Sequence, residues 1–405
     1  MRTFSMSLLL CAGLLIGACG GSSPSLPASA GSTTTGSTGG GTGTGTGGSG
    51  GGGTATSMKG PFAPTGNLTA ARANHTATLL PSGKVLITGG DGDSSQPLAS
   101  AELYDPSTRM FTTTGSMTTA RTWGHTATLL ANGTVLIAGG SDKRDTYEPL
   151  ASAELYDPST GKFTLTGSMT TAQRTDGATS LQDGRVFVAG ESYAAIYDPA
   201  SGTFAPAGAY VDATPVLWVT VNLLTDGRVL LTGCAAQCMA GATELFDPRS
   251  GTFSRTGPMT GYTWGNENTA TLLTDGRVLF VGNNENDGSS ADAEIYDPAA
   301  GTFTSIGKAR APHEFAAAVR LADGTVLITG GQLPGGNGSA GSDLYSPATG
   351  TFTSAADNMT TARHSHTATL LSDGTVLIVG GYSGWPTPTA TAEIYDPSCK
   401  GCWDY

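Results

Sequence analysis

The chain holds five histidines in 405 residues. His313 is followed by Glu314, and side chains of these two types can pass a proton near neutral pH. They form the acid–base pair least like the rest of the sequence and are the weak candidates for catalysis. His75, His125 and His366 each open the same six residues, His-Thr-Ala-Thr-Leu-Leu. A residue that recurs in step with a repeated segment is read as part of that segment. These three are therefore expected to be structural, and no metal site or cofactor is expected. Arg72, Arg121, Arg310 and Arg363 precede the same segment, and Glu102, Glu154, Glu244, Glu294 and Glu393, with Asp343 in one copy, follow it. A carboxylate in a sheet covered on both faces needs a partner. Arginine–carboxylate pairing is the expected use of these residues.

The least repetitive segments carry a second chemistry. Trp123, Arg174, Tyr262, Trp264, Glu267, His313, Glu314 and Trp385 are the candidate binding residues. Asp91-Gly92-Asp93, Tyr382-Ser383-Gly384 and His364 lie in the same kind of segment. Flat rings beside Asn, Asp, Glu and Arg suit sugars, which offer an apolar C–H face and a rim of hydroxyls. A protein ligand is the parallel expectation. Packing alone remains an alternative for Trp123 and Trp218.

Composition excludes other partners. There are 60 glycines, 13% charged residues and a net charge of -12. The glycine count with so little charge suits an all-β chain with many turns. The negative charge argues against nucleic acid, whose backbone requires Lys and Arg. It also offers no polybasic handle for an anionic membrane, so membrane contact is expected only through a lipid anchor.

The N-terminus supplies such an anchor. After Arg2 comes a short apolar run, Leu8 to Ile16, too short to span a bilayer, and residues 1–18 read as a signal peptide. Ile16-Gly17-Ala18-Cys19 resembles a bacterial lipobox, which implies lipidation at Cys19. An ordinary signal cleaved nearby is the alternative. Gly20 stands where that family would carry Asp for inner-membrane retention. The resemblance therefore implies the outer membrane or surface of a Gram-negative cell. Residues 19–57 are Gly, Ser and Thr with scattered Pro and Ala. They read as a flexible tether that cannot bury a core.

From residue 58 to 405 one unit repeats. Gly83, Gly133, Gly184, Gly227, Gly276, Gly324 and Gly374 occupy equivalent places, 43 to 51 residues apart. A period near 50 indicates a propeller or a solenoid. Each unit shows four strand signals: His-Thr-Ala-Thr-Leu-Leu, a turn read as a two-residue hairpin, an apolar run such as Val85–Gly90, an Ala-Glu-Leu-Tyr-Asp-Pro segment, and a strand bearing one Phe. The Asp before Pro is expected to bind turn amides. An apolar run ending in Gly-Gly, then a Tyr, then a large aromatic resembles the Kelch repeat. The middle copies depart from it, with Gly190-Glu191, Gly233-Cys234 and Gly282-Asn283. The resemblance implies an all-β, seven-bladed, Kelch-type propeller of four-stranded antiparallel blades, of the galactose-oxidase-like kind. The last copy lacks a fourth strand. Residues 59–66, which nearly repeat Ser201–Gly208, are expected to supply it and close the ring.

In such a meander the second-to-third and fourth-to-first connections share one face, and they vary most. Variable loops on a rigid scaffold are where binding sites sit. The expected function is an exported, lipid-anchored, monomeric module that binds a glycan or a protein through this face. The residues favour binding over catalysis. The alternative is a carbohydrate-active enzyme, epimerase- or lyase-like, on the same face. Copper-radical oxidases share the implied fold, but no Tyr-His dipeptide occurs here, and the chain is read as no oxidase. Sialic-acid epimerases of the Kelch kind have six blades, against seven copies here. In an exported chain, Cys234–Cys238 and Cys399–Cys402 are expected as disulfides. Mass spectrometry without reductant should find these four thiols closed to alkylation; four free thiols would end that assignment.

Overall fold

A computed structural model describes residues 60–143, 148–175, 177–190, 193–211, 216–235, 240–260, 268–282 and 291–399. Apart from one short 3-10 turn at Asp93–Ser95, its regular structure there is all strand. The cause is local. Val85–Thr88, Val135–Ser141, Val326–Thr329 and Val376–Val379 are rich in branched apolar residues and buried along their length. That composition belongs to strands covered on both faces.

The turn before each of these strands differs from the expected two-residue hairpin. Only its glycine is left-handed, as at Gly83 with φ 81° and Gly133 with φ 85°. Gly83 N bonds Leu80 O, and Leu80 N bonds Lys84 O. This is a longer loop in which an ordinary turn is followed by a glycine in the left-handed region. The residue before the glycine therefore keeps a negative φ, which lets Ser82, Asn132 and Asp183 serve equally.

Among the described residues the strands form eight four-stranded antiparallel sheets. Six of them each take four strands in chain order from one copy of the repeat. Thr76–Leu79, Val85–Thr88, Ala101–Asp105 and Met110–Thr113 make the first. The seventh joins Thr367–Leu370, Val376–Val379 and Ala392–Tyr395 to Phe62–Pro64 from the other end of the propeller. Phe62 faces Tyr395, Ala63 faces Ile394 and Pro64 faces Glu393. Asp396 N bonds Pro61 O and Thr65 N bonds Ala392 O. Pro61 and Pro64 are tolerated because this strand is outermost and pairs along one edge.

The first strands touch in order around an axis, and Thr367–Leu370 touches Thr76–Leu79. Seven clusters of buried apolar side chains fill the junctions between neighbouring sheets. Where the seventh sheet meets the first, Leu371, Leu377 and Val379 pack on Val85, Ile87 and Tyr104. The repeated Tyr packs on the Phe of its fourth strand, 4.9 Å between ring centres for Tyr104 and Phe111 and 4.8 Å for Tyr156 and Phe163. Its hydroxyl reaches into the preceding sheet, Tyr104 to Thr65 Oγ1 at 2.9 Å and Tyr156 to Thr114 Oγ1 at 2.9 Å. The Asp that follows binds turn amides: Ser107 N donates to Asp105 Oδ1 at 3.0 Å.

The eighth sheet is absent from the repeat. Gln332–Leu333 and Asn337–Gly338 form a hairpin between the second and third strands of the sixth sheet. Tyr382–Gly384 and Thr387–Pro388 do the same in the seventh. The two hairpins pair edge to edge at Asn337 and Gly384.

Deleting residues 59–66 removes the buried Phe62 and one strand of a sheet. Large-to-small loss of a buried Phe alone costs about 3–5 kcal/mol. The melting temperature should fall by roughly 10 °C. An unchanged thermal melt would show that the ring holds without this strand.

Candidate functional site

The loop face begins with buried charge. Arg72 is fully buried. Its Nη1 donates to Gly89 O at 2.9 Å, and its Nη2 to Glu102 Oε1 at 2.8 Å. Glu102 also accepts from the amides of Thr69 and Ala70. Arg121 repeats this with Gly139 O and Glu154, and Arg363 with Gly380 O and Glu393. Burial pulls all three guanidinium pKa values down, and the facing carboxylates oppose it. Each clamp ties the loop entering a first strand to the end of the second strand and to the third.

The sixth sheet corrects the expected pairing of Arg310. Arg310 is exposed and not in the clamp; its main-chain N bonds Asp343 Oδ2 at 2.7 Å. His313 takes the place of the arginine. It is fully buried, with Nδ1 2.8 Å from Gly330 O and Nε2 3.1 Å from Asp343 Oδ2. Both ring nitrogens are thus committed to the scaffold. Glu314 is half-buried, and its carbonyl accepts from Gln332 N.

The three repeated histidines are buried and reach across junctions. His75 Nε2 lies 2.9 Å from Thr367 Oγ1, His125 Nε2 donates to Thr88 O at 3.2 Å, and His366 Nε2 lies 2.9 Å from Thr329 Oγ1. Each bonds the sheet before its own. Burial holds His125 down to about 4 and the other two well below the ordinary value.

Above these layers sits Asp91, fully buried in the second-to-third loop of the first sheet. Its Oδ2 accepts from Asn74 Nδ2 at 2.9 Å, Trp123 Nε1 at 3.0 Å and Tyr382 Oη at 2.7 Å. Its Oδ1 accepts from Thr122 Oγ1 at 2.8 Å. Four donors from three sheets meet one carboxylate. Tyr382 continues an aromatic series: its ring centre lies 5.3 Å from His364 and 5.1 Å from Trp385, and His364 lies 6.2 Å from Phe315. Tyr382 and His364 are buried, whereas Trp385 is 50% exposed. Burial also holds His364 down to about 4. Asn74, Phe315 and Ser365 stand at equivalent positions before three first strands, with φ of 52°, 52° and 53°. Asn74 N bonds Ser365 O and Ser365 N bonds Phe315 O, linking the loops of the first, seventh and sixth sheets.

The structure therefore gathers Trp123 and Trp385 around Asp91 and Tyr382. Arg174 is half-buried in the loop before the third sheet, outside this group. Tyr262, Trp264 and Glu267 lie outside the described residues. So do Cys19, Cys238, Cys402 and the side chain of Cys234; Cys399 is disulfide-bonded. Asp91, Tyr382 and His364 were visible only as loop contents, and Asn74 and Phe315 carried no signal. The one available clue was position: a carboxylate directly after Gly-Gly, at a place where the other copies hold Ser141, Gln332 or Tyr382.

The Kelch motif matches residues 124–170 and 363–405. No curated protein matches. A solved fungal alcohol oxidase, described as showing catalytic diversity among the AA5 family and in complex with copper, has a similar fold. Its TM-score is 0.62 at 18% identity, over 84% of this chain and 76% of that one. Identity this low is a likeness of fold alone. Among the described residues no group of three or more His, Cys, Asp or Glu is gathered to hold a metal ion. Tyr382 is bound to Asp91, and His364 packs on its ring. These residues do not fit a copper centre.

The histidines make a pH prediction. A folded pKa below the unfolded value of 6.5 means that the unfolded chain binds the proton first. The stabilisation is complete above pH 6.5 and declines as pH falls towards 4. For His125 it is on the order of 3 kcal/mol. Urea unfolding at pH 7 and pH 4.5 should show this loss. His125→Asn, which copies Asn268 of the fifth copy, should flatten the slope.

Proposed function

Taking a Kelch-type β-propeller as the premise, we propose that this chain is an exported, lipid-anchored binding module that holds a glycan or protein ligand on its loop face. In this reading Cys19 carries the lipid and residues 19–57 form the tether to an outer membrane or cell surface. The observation that carries it is Trp385. A large apolar ring is half exposed at the end of an aromatic series in which its neighbour Tyr382 is fixed by a buried carboxylate. An exposed aromatic on a rigid support is a surface prepared for contact. Binding is favoured over turnover because His313, the candidate proton carrier, is spent on Gly330 and Asp343.

The purified full chain should retain a ligand on combined glycan and protein arrays. Trp385→Ala should remove most of that retention and leave the thermal melt unchanged. Retention indifferent to Trp385 would move the binding site off this face.

A further inference from the structure

We infer that a cavity between the sixth and seventh sheets, on the face opposite the variable loops, binds a small organic cation through a protonated amine. The inference is independent of the loop-face reading above.

The cavity lies where a repeated bond is lost. Tyr104, Tyr156, Tyr197 and Tyr296 each meet a threonine hydroxyl of the preceding sheet, Thr65, Thr114, Thr166 and Thr256, at 2.7 to 2.9 Å. The threonine is missing at three junctions. Ala207 faces the fourth sheet, where the tyrosine is replaced by Phe246 and no hydroxyl needs a partner. Ile306 stands before the sixth sheet; it packs into the junction, and Tyr345 has the Arg277 guanidinium nearby. Ala355 faces the seventh, where Tyr395 keeps its hydroxyl. Tyr395 is 3% exposed, and its oxygen has no hydrogen-bond partner among the described residues. A buried hydroxyl without a partner is costly, so the position favours a ligand that supplies one.

The space beside Ala355 is a cavity of about 400 Å³, within the range of small-molecule sites. Tyr395 and Ala355 line it together with Leu321, Leu344, Asp323 and Asp396. Burial, and then the charges of Asp323 and Asp396, push the Tyr395 phenol up to about 12. It is therefore neutral, with lone pairs to offer. Asp396 Oδ1 accepts from Ser398 N at 2.8 Å and Ser398 Oγ at 2.6 Å. In the first sheet the second oxygen of the equivalent Asp105 holds Lys84 Nζ at 3.1 Å. In the seventh, Thr375 stands in the lysine's place and its hydroxyl bonds Asp373. Asp396 Oδ2 thus lacks the cation that its counterpart has.

These groups select the ligand. Among the described residues lining the cavity there is no Lys, Arg or His, so it suits no anion. A metal ion fits poorly, because no three His, Cys, Asp or Glu are gathered among the described residues and hard cations take about six or more oxygens. A primary ammonium has three N–H donors. The phenol oxygen and Asp396 satisfy two of them with charge-assisted bonds. Leu321 and Leu344 cover an alkyl stem.

The test titrates the purified full chain by calorimetry with cadaverine, with pentanediol as its uncharged counterpart, and with calcium alone. Cadaverine should bind, and the other two should not. Tyr395→Phe, which copies the pairing of Phe246 with Ala207, should weaken cadaverine by roughly tenfold. The melt should stay unchanged, because that hydroxyl holds nothing in the scaffold. Asp396→Asn should weaken it by about tenfold or more. Ala355→Thr restores the threonine of the other junctions and should abolish binding without lowering the melting temperature. No cadaverine binding, or equal binding of pentanediol or calcium, would overturn the proposal. So would cadaverine binding that Tyr395→Phe and Ala355→Thr leave untouched, which is general attraction to a chain of net charge -12.

Discussion

A guanidinium removed from water is costly, by several kcal/mol even after the protein relaxes around it. Among the described residues three are buried, Arg72, Arg121 and Arg363, and the loop face around them is arranged to satisfy them. Each meets one carboxylate and the carbonyl of the first glycine in a Gly-Gly pair. That glycine has no freedom to change. A Cβ on Gly89 would stand 2.6 Å from Arg121 O, and one on Gly90 would stand 2.4 Å from Ala73 O. Close approach of backbones and burial of charge are therefore one design. In the sixth and third sheets, which lack the arginine, the third-strand residue differs too. His313 faces the shorter Asp343, and Gln173 stands where the third strand offers Ala195 in place of a carboxylate.

Asp91 applies the same economy to a different end. It is a buried carboxylate saturated by donors, but its donors are side chains of three sheets instead of one arginine. It thereby converts scaffold rigidity into fixed orientations for Trp123 and Tyr382. Removing it would take one hydrogen bond each from a phenol, an indole N–H, a hydroxyl and an amide. The aromatic series ending at Trp385 inherits its order from this one group.

The repeat was legible because its physics is periodic. Strand-two residues buried on both faces, Gly-Gly, and Tyr paired with Phe recur in phase, and the resemblance of Lys59–Gly66 to Ser201–Gly208 pointed to the strand observed against Ala392–Tyr395. Aperiodic features were harder. The paired hairpins at Gln332–Gly338 and Tyr382–Pro388 are each too short to announce themselves, and each is completed by the other. His313 broke the pattern, and Asp343 stands opposite it where other copies hold a glutamate. Arg310 looked like the clamp because chain spacing slips by three residues there. Sequence shows which residue is unusual; only the packing shows whether it is unusual for a ligand or for a partner three strands away.

The strand Phe62–Pro64 has one further consequence. Its partner, Ala392–Tyr395, lies nearly the whole length of the propeller away. Of the described strands it is the first made during synthesis and the last to be matched. Until then an incomplete row of sheets exposes a greasy flank at either end. Contacts of such long sequence separation are slow to form and leave sticky intermediates behind. Those intermediates give a chaperone its longest opportunity on this chain.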